Sequence, residues 1–99
     1  MGYTKPVIEV RWTEEFSRWI RRLRDANAVA RIVARIRRME FGNLGDSKSL
    51  RGDLMEMRID YGPAYYVRRA AEIVILLWAG EKRTQQRDFK RARVLAERL

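Results

Sequence analysis

The 99-residue chain contains no cysteine and no histidine. The first absence excludes disulfides and thiolate nucleophiles, and the two together remove the usual zinc ligands. Without histidine there is no Ser–His or Cys–His nucleophile, so proton transfer near neutral pH would fall to other groups. The longest apolar run, Ile73 to Ala79, is strand-sized and far short of the roughly 18 residues that a membrane span needs. Tyr3 to Arg11 mixes polar and β-branched residues and carries no cleavable signal pattern. No internal repeat and no linker interrupts the chain. These absences lead to the expectation of one cytoplasmic domain over residues 1–99, with no metal, no cofactor and no membrane.

What the chain has is positive charge. Twenty-two Lys+Arg stand against 13 Asp+Glu, a formal net charge of +9 with a pI near 10.8. The excess is uneven: residues 11–40 carry a net +5 and residues 81–99 a net +4, whereas 41–80 balance. Eighteen of the basic residues are arginine, whose planar fork suits phosphate better than the point charge of lysine. A field of this sign draws in nucleic acid or an acidic protein. Charge alone does not choose between them.

Val7-Ile8-Glu9-Val10-Arg11 reads as a first strand. Thr13 is an N-cap signal, followed by Glu14 and Glu15 where a helix dipole favours carboxylates. Phe16, Trp19, Ile20 and Leu23 then form one apolar stripe. Asp25 or Asn27 restarts a second helix with the stripe Val29, Ile32, Val33, Ile36 and Met39, while Arg31, Arg35 and Arg38 share another face. Gly42 can end it in the left-handed conformation. The break is short enough to predict an antiparallel helical hairpin. Asn43 to Asp53 reads as a loop. From Leu54 the period changes to two, with Met55, Met57 and Ile59 alternating with Glu56, Arg58 and Asp60. Tyr61-Gly62-Pro63-Ala64 makes a turn, Tyr65 to Arg69 a strand, and Ile73 to Ala79 a central strand apolar on both faces. Thr84 can cap a last helix bearing Phe89, Ala92, Leu95, Ala96 and Leu99 along one side. The expected architecture is α+β in the order β-α-α-β-β-β-α. The hairpin covers one face of an antiparallel sheet, and Glu56, Arg58 and Asp60 point to the opposite, open face.

Glu56 and Arg58 share that face. They can form a plain cross-strand ion pair, or Arg58 can clamp a phosphate while Glu56 orients it or acts as a base. Arg68 on the next strand can join them if the register allows; whether Tyr66 and Arg68 or Tyr65 and Arg69 face outward is open at this level. Lys48 lies in the glycine-containing loop before the charged strand. Lys82 and Arg83 precede the last helix, whose N-terminal end attracts anions. With no histidine, the groups available for proton transfer are Glu56, a lysine, Tyr65 or Tyr66. Trp19 belongs to the helix stripe, and Trp12 and Trp78 are less determined.

An ordered series carries a family likeness: Arg11-Trp12-Thr13, Gly45-Asp46-Ser47-Lys48, Glu56-Met57-Arg58-Ile59-Asp60-Tyr61-Gly62-Pro63, Tyr65, Ile75-Leu76-Leu77, Gly80 to Gln85 and Arg87-Asp88. The chain resembles the RelE/ParE superfamily of toxins from bacterial type II toxin–antitoxin modules, in its HigB-like addiction-module killer branch. The resemblance implies a RelE-like fold, a cognate helix-turn-helix antitoxin as partner, and action on the ribosome and mRNA as an endoribonuclease that stops translation. ParE-like inhibition of DNA gyrase without catalysis is the alternative it also contains, and a DNA-binding partner that has lost toxicity is a third. It favours Asp88 as a further site residue. The implied site is then Glu56, Arg58, Lys82 and Arg68 for catalysis, with Lys48, Tyr66, Arg83 and Asp88 on the substrate. The sequence departs from the branch in Gly62-Pro63-Ala64-Tyr65-Tyr66, where Tyr66 stands in place of an arginine.

Overall fold

Three hydrogen-bonded caps divide the helical half of the chain. The Thr13 hydroxyl accepts from Phe16 N–H at 3.1 Å and opens α1, Glu14–Arg22. The Asp25 carboxylate accepts from Asn27 and Ala28 N–H at 3.0 and 3.2 Å and opens α2, Ala26–Glu40. At its far end Gly42 adopts φ +94°, and the N–H groups of Gly42 and Asn43 reach back to the carbonyls of Met39 and Arg38, both at 2.9 Å. This 6→1 and 5→2 pattern satisfies carbonyls that the helix end would otherwise orphan.

The computed structural model describes residues 6–99; Tyr3 to Lys5, part of the stretch read for a signal pattern, lie outside the described residues. The strands are β1 (Glu9–Trp12), β2 (Ser47–Arg51), β3 (Leu54–Arg58), β4 (Pro63–Arg69) and β5 (Ile73–Ala79), followed by a 3-10 turn at Lys82–Thr84 and α3 (Gln85–Glu97). They form a mixed five-stranded sheet in the order β1-β5-β4-β3-β2. β1 runs parallel to β5, and the other neighbours are antiparallel. The protein is therefore α+β with three helices. No helix among the described residues is long and apolar enough to cross a membrane.

The sheet is mixed and not antiparallel as the sequence led one to expect, because β1 joins β5 in parallel, and two further expectations are corrected. The stretch read as a loop contains β2, so four strands, not three, follow the helix pair. Among the described residues β2 pairs only with β3, and an edge strand can be built from Ser, Lys and Arg without an apolar stripe. The second correction concerns the face opposite α1 and α2, which is not open. Phe16, Ile20, Ile32, Ile36, Met39, Met57, Tyr66 and Leu76 make the core beneath the helix pair. Leu54, Tyr65, Val67 and Leu77 make a second core with Ala92 and Leu95 of α3. Strands β4 and β5 are apolar on both faces, so both must be covered. Only the end of β3 bearing Glu56 and Arg58 extends past that cover. Within the helix stripes, Val33 and Leu99 are exposed rather than packed, because the core contact on α2 runs through Ala28, Ile32, Ile36 and Met39.

A bulge in β5 adjusts the second core. Tyr65 pairs with Trp78 but Tyr66 pairs with Leu76, leaving Leu77 as the extra residue. Leu77 and Trp78 consequently both face α3, and Ala79 returns to the first core. Bulges re-aim side chains in this way. Here the result is that Trp78 Nε1–H donates to Asp88 Oδ1 at 3.0 Å.

β4 and the segment after β5 meet backbone to backbone. A Cβ on Gly62 would lie 2.1 Å from the Gly80 carbonyl oxygen, whereas one on Gly52 would meet nothing within 4 Å. Gly62→Ala should therefore cost roughly 1–3 kcal/mol or more through overpacking. Gly52→Ala, at φ +59°, meets only left-handed backbone strain, about 1–2 kcal/mol. Chemical denaturation of the two variants should rank Gly62→Ala as the less stable.

Candidate functional site

Cross-strand register assembles a row of side chains on the α3 side of the sheet. Lys48 of β2 faces Glu56 of β3, Glu56 faces Tyr65 of β4, and Tyr65 faces Trp78 of β5. Neighbours in such a row have Cβ atoms roughly 5 Å apart. Tyr65 is fully buried and the Glu56 side chain is only 6% exposed, whereas the next residue on the same face of β3, Arg58, keeps 57% of its side chain in solvent. Arg58 Nε stands 3.9 Å from Glu56 Oε2.

The backbone of Arg58 is held from both sides. Its N–H donates to the Asp46 carbonyl at 2.8 Å, and its own carbonyl accepts from Arg35 Nη1 at 2.7 Å. Arg35 reaches it by crossing Gly45, where a Cβ would lie 2.4 Å from Arg35 Nη2 and φ is +67°. The helix period groups Arg35 with Arg31 and Arg38 on a face open either to solvent or to nucleic-acid backbone. Arg35 is instead a half-buried positioning residue, and its spacing on α2 carries no sign of that role.

Lys82 arrives from the opposite side. Gly80 N–H donates to the Pro63 carbonyl at 3.1 Å, and Tyr61 Oη donates to Glu81 Oε1 at 3.2 Å. These bonds lay the Gly80–Lys82 segment across Gly62-Pro63, and Pro63 is the register partner of Arg58. The result is a cleft of about 430 Å³ lined by Lys48, Glu56, Arg58, Lys82, Asp46, Asp60 and Gln85. Three cations and three carboxylates line it, so the cleft is charge-balanced. Among the described residues no cluster of acidic side chains has the arrangement of a metal site.

Four expected site residues lie elsewhere. Tyr66 is fully buried under the helix pair, because the alternation that turns Tyr65 toward α3 turns Tyr66 away from it. Arg68 pairs with Val74 at the other end of β4, five residues or roughly 16 Å from Pro63, and its guanidinium donates to the Ala71 carbonyl at 3.0 Å. Arg83 is 85% exposed and bound to Glu81 at 2.9 Å, outside the cleft lining. Asp88 is 4% exposed and accepts from Trp78 and from the Thr84 hydroxyl. Thr84 occupies the N-cap position of α3, but its side chain accepts no backbone bond; it serves Asp88 instead. Lys48, Glu56, Arg58 and Lys82 are thus brought together, and Arg68, Tyr66, Arg83 and Asp88 are not.

Burial drives the Tyr65 phenol far above its ordinary range, and the nearby negative charges of Glu56 and Asp88 add to the shift. Its hydroxyl donates to the Gln85 carbonyl at 3.3 Å. Tyr65 is therefore held as a neutral donor to the backbone at the start of α3. Gln85, whose backbone it anchors, stands in the motif series but reads from the sequence as an ordinary first-turn residue of the last helix.

No protein-family model matches the chain. It is similar to a protein of Haemophilus influenzae described only as uncharacterized, with 42% identity over 95 residues, covering 93% of this chain and 96% of that protein.

Replacing Asp88 by Ala leaves the Trp78 N–H without its acceptor, and should cost roughly 1–3 kcal/mol. Arg83→Ala at the exposed turn should stay within about 0.5 kcal/mol of the parent. Thermal unfolding followed by tryptophan fluorescence distinguishes the two.

Proposed function

From the premise that this chain and the Haemophilus influenzae protein belong to one family, we propose that the chain is the toxin of a type II toxin–antitoxin module, a RelE/ParE-like protein of the HigB-like branch. It acts in the cytoplasm as a ribosome-dependent mRNA endoribonuclease and is neutralised by a cognate helix-turn-helix antitoxin. The observation that carries this reading is the convergence of Lys48, Glu56, Arg58 and Lys82 on one cleft. The nearly buried Glu56 carboxylate shares that cleft with three cations, and with Asp46 and Asp60, in a protein whose net charge of +9 favours an anionic partner. The ordered series of motifs from Arg11 to Asp88 supports the family reading, as does the sequence of strand, helix pair, strands and closing helix, with β2 added to the expected order.

The chemistry requires no bound cofactor. The ribose 2′-hydroxyl attacks the adjacent phosphorus, forming the O2′–P bond as the P–O5′ bond breaks. Glu56 accepts the hydroxyl proton. Arg58 and Lys48 meet the charge that builds on the phosphorane oxygens, a role in which a single donor is worth about 10²–10³ in rate. Lys82, on the opposite lip, protonates the departing 5′-oxygen. The products are a 2′,3′-cyclic phosphate and a free 5′-hydroxyl. Ribosomal RNA would position the substrate, so free RNA should be cut slowly or not at all.

Arg58→Ala is expected to abolish growth arrest in an inducible strain, with the protein still folded and still bound to its antitoxin. Arg68→Ala, at the far end of the sheet, is expected to remain toxic. Primer extension on a reporter mRNA should show new 5′ ends within the translated frame for the parent and not for Arg58→Ala. Equal toxicity of parent and Arg58→Ala would remove the site. Gyrase-dependent DNA breaks or failed supercoiling without new mRNA ends would replace the nuclease with a gyrase inhibitor.

A further inference from the structure

A second cleft of about 320 Å³ adjoins the first and shares Lys48, Glu56 and Gln85 with it. Its other lining residues are Leu50, Tyr65, Phe89 and Gln86. The two halves differ in chemistry. The first gathers the charged side chains Arg58, Lys82, Asp46 and Asp60. The second adds no charge beyond the shared Lys48 and Glu56, and offers the partly exposed Phe89 ring over the buried Tyr65, a leucine and two carboxamides.

We infer that the second cleft is a nucleobase subsite: it takes the base of a nucleotide whose phosphate lies in the first, with Phe89 and Leu50 as the apolar wall and Gln85 and Gln86 reading the base edge. The inference rests on the nuclease reading and adds sequence preference to it. Strand-like nucleic acid presents alternating phosphate and planar base, so adjoining charged and apolar clefts match its repeat. Single-stranded bases are held by packing on aromatic side chains and by hydrogen bonds to their exposed edges. A carboxamide carries both donors and an acceptor, and so can discriminate one edge from another.

The wall is held in place. The Phe89 ring lies 6.5 Å from that of Tyr65, and the Arg93 guanidinium stands 6.0 Å above it. Tyr65 in turn donates to the Gln85 carbonyl, which fixes the first turn of α3 against the sheet. Gln85 and Gln86 are both exposed on that turn, so their amides are free to reach a ligand from a rigid base.

The test is a transcript-wide map of 5′ ends after induction of the parent, Gln86→Ala and Phe89→Leu in cells. Phe89→Leu keeps an apolar side chain and removes the ring. Gln86→Ala changes only an exposed side chain, so it remains decisive if Phe89→Leu is poorly folded. The parent should cut with a preference for one base at a fixed position relative to the cut. Gln86→Ala should relax that preference, and Phe89→Leu should lower cutting at preferred sites roughly tenfold, in line with the loss of one base–aromatic contact. New ends whose base pattern and frequency are unchanged in both variants overturn the subsite and leave the nuclease standing. If the parent produces no new ends, the nuclease reading and the subsite fall together.

Discussion

Gly62 passes the Gly80 carbonyl so closely that a side chain at position 62 would have no room between the two segments. The cleft depends on this crossing. It places the segment leading to Lys82 against the start of β4, and β4 sets Pro63 beside Arg58. Gly80 is pressed from its other side by the Asp88 carboxylate, where a Cβ would lie 1.8 Å from an oxygen. Asp88 is itself tied to Trp78 and Thr84. A buried acid that resembles a site residue in sequence thus acts as the pin that keeps the lip of the cleft in position. Its cost of burial is met by hydrogen bonds from an indole and a hydroxyl, as a carboxylate in such a place requires.

The sheet is covered on both sides, and this determines how much of β3 remains available for chemistry. α3 closes over Leu54, Tyr65, Val67 and Leu77. Past the edge of that cover the same strand face continues as Glu56, nearly buried, and Arg58, half in solvent. The gradient along three alternate positions, from core leucine to exposed arginine, explains why one strand can contribute to a hydrophobic core and to a charged cleft. The Arg58 backbone is fixed by Asp46 and Arg35, so the guanidinium moves from a rigid base. The balance of three cations and three carboxylates also limits nonspecific attraction within the cleft itself. The protein's positive excess lies mainly on α1, α2 and α3 rather than in the cleft.

Much of the fold was legible from local patterns. The Thr13 cap, a second helix start at Asp25 or Asn27, Gly42 after α2 and the alternation in β3 each reflect interactions between residues close in the chain, and the doubly apolar run of β5 marks a strand covered on both faces. Glu56 and Arg58 could be placed on one strand face for the same reason. β2 escaped because an edge strand of Ser, Lys and Arg has no apolar rhythm, and Gly45 and Gly52 on its flanks look like loop residues. The orientation of Tyr65 and Tyr66 was also invisible, since both are apolar enough for either core and a sheet buried on both faces leaves no polar side to decide between them.

Composition and periodicity alone therefore determined an α+β chain without cysteine or histidine chemistry, rich in arginine, with one strand pairing a carboxylate and a guanidinium. Both follow from backbone periods of 3.6 and 2 residues and from the side-chain inventory. Tertiary structure alone decided which cations join that pair. Lys48 is adjacent through register, and Lys82 through the glycine crossing. Arg68 is removed by its place at the far end of β4, and Asp88 by the bulge that turns Trp78 onto it. Each of those outcomes depends on pairing between segments distant in the chain, where a shift of one residue exchanges the faces of a strand.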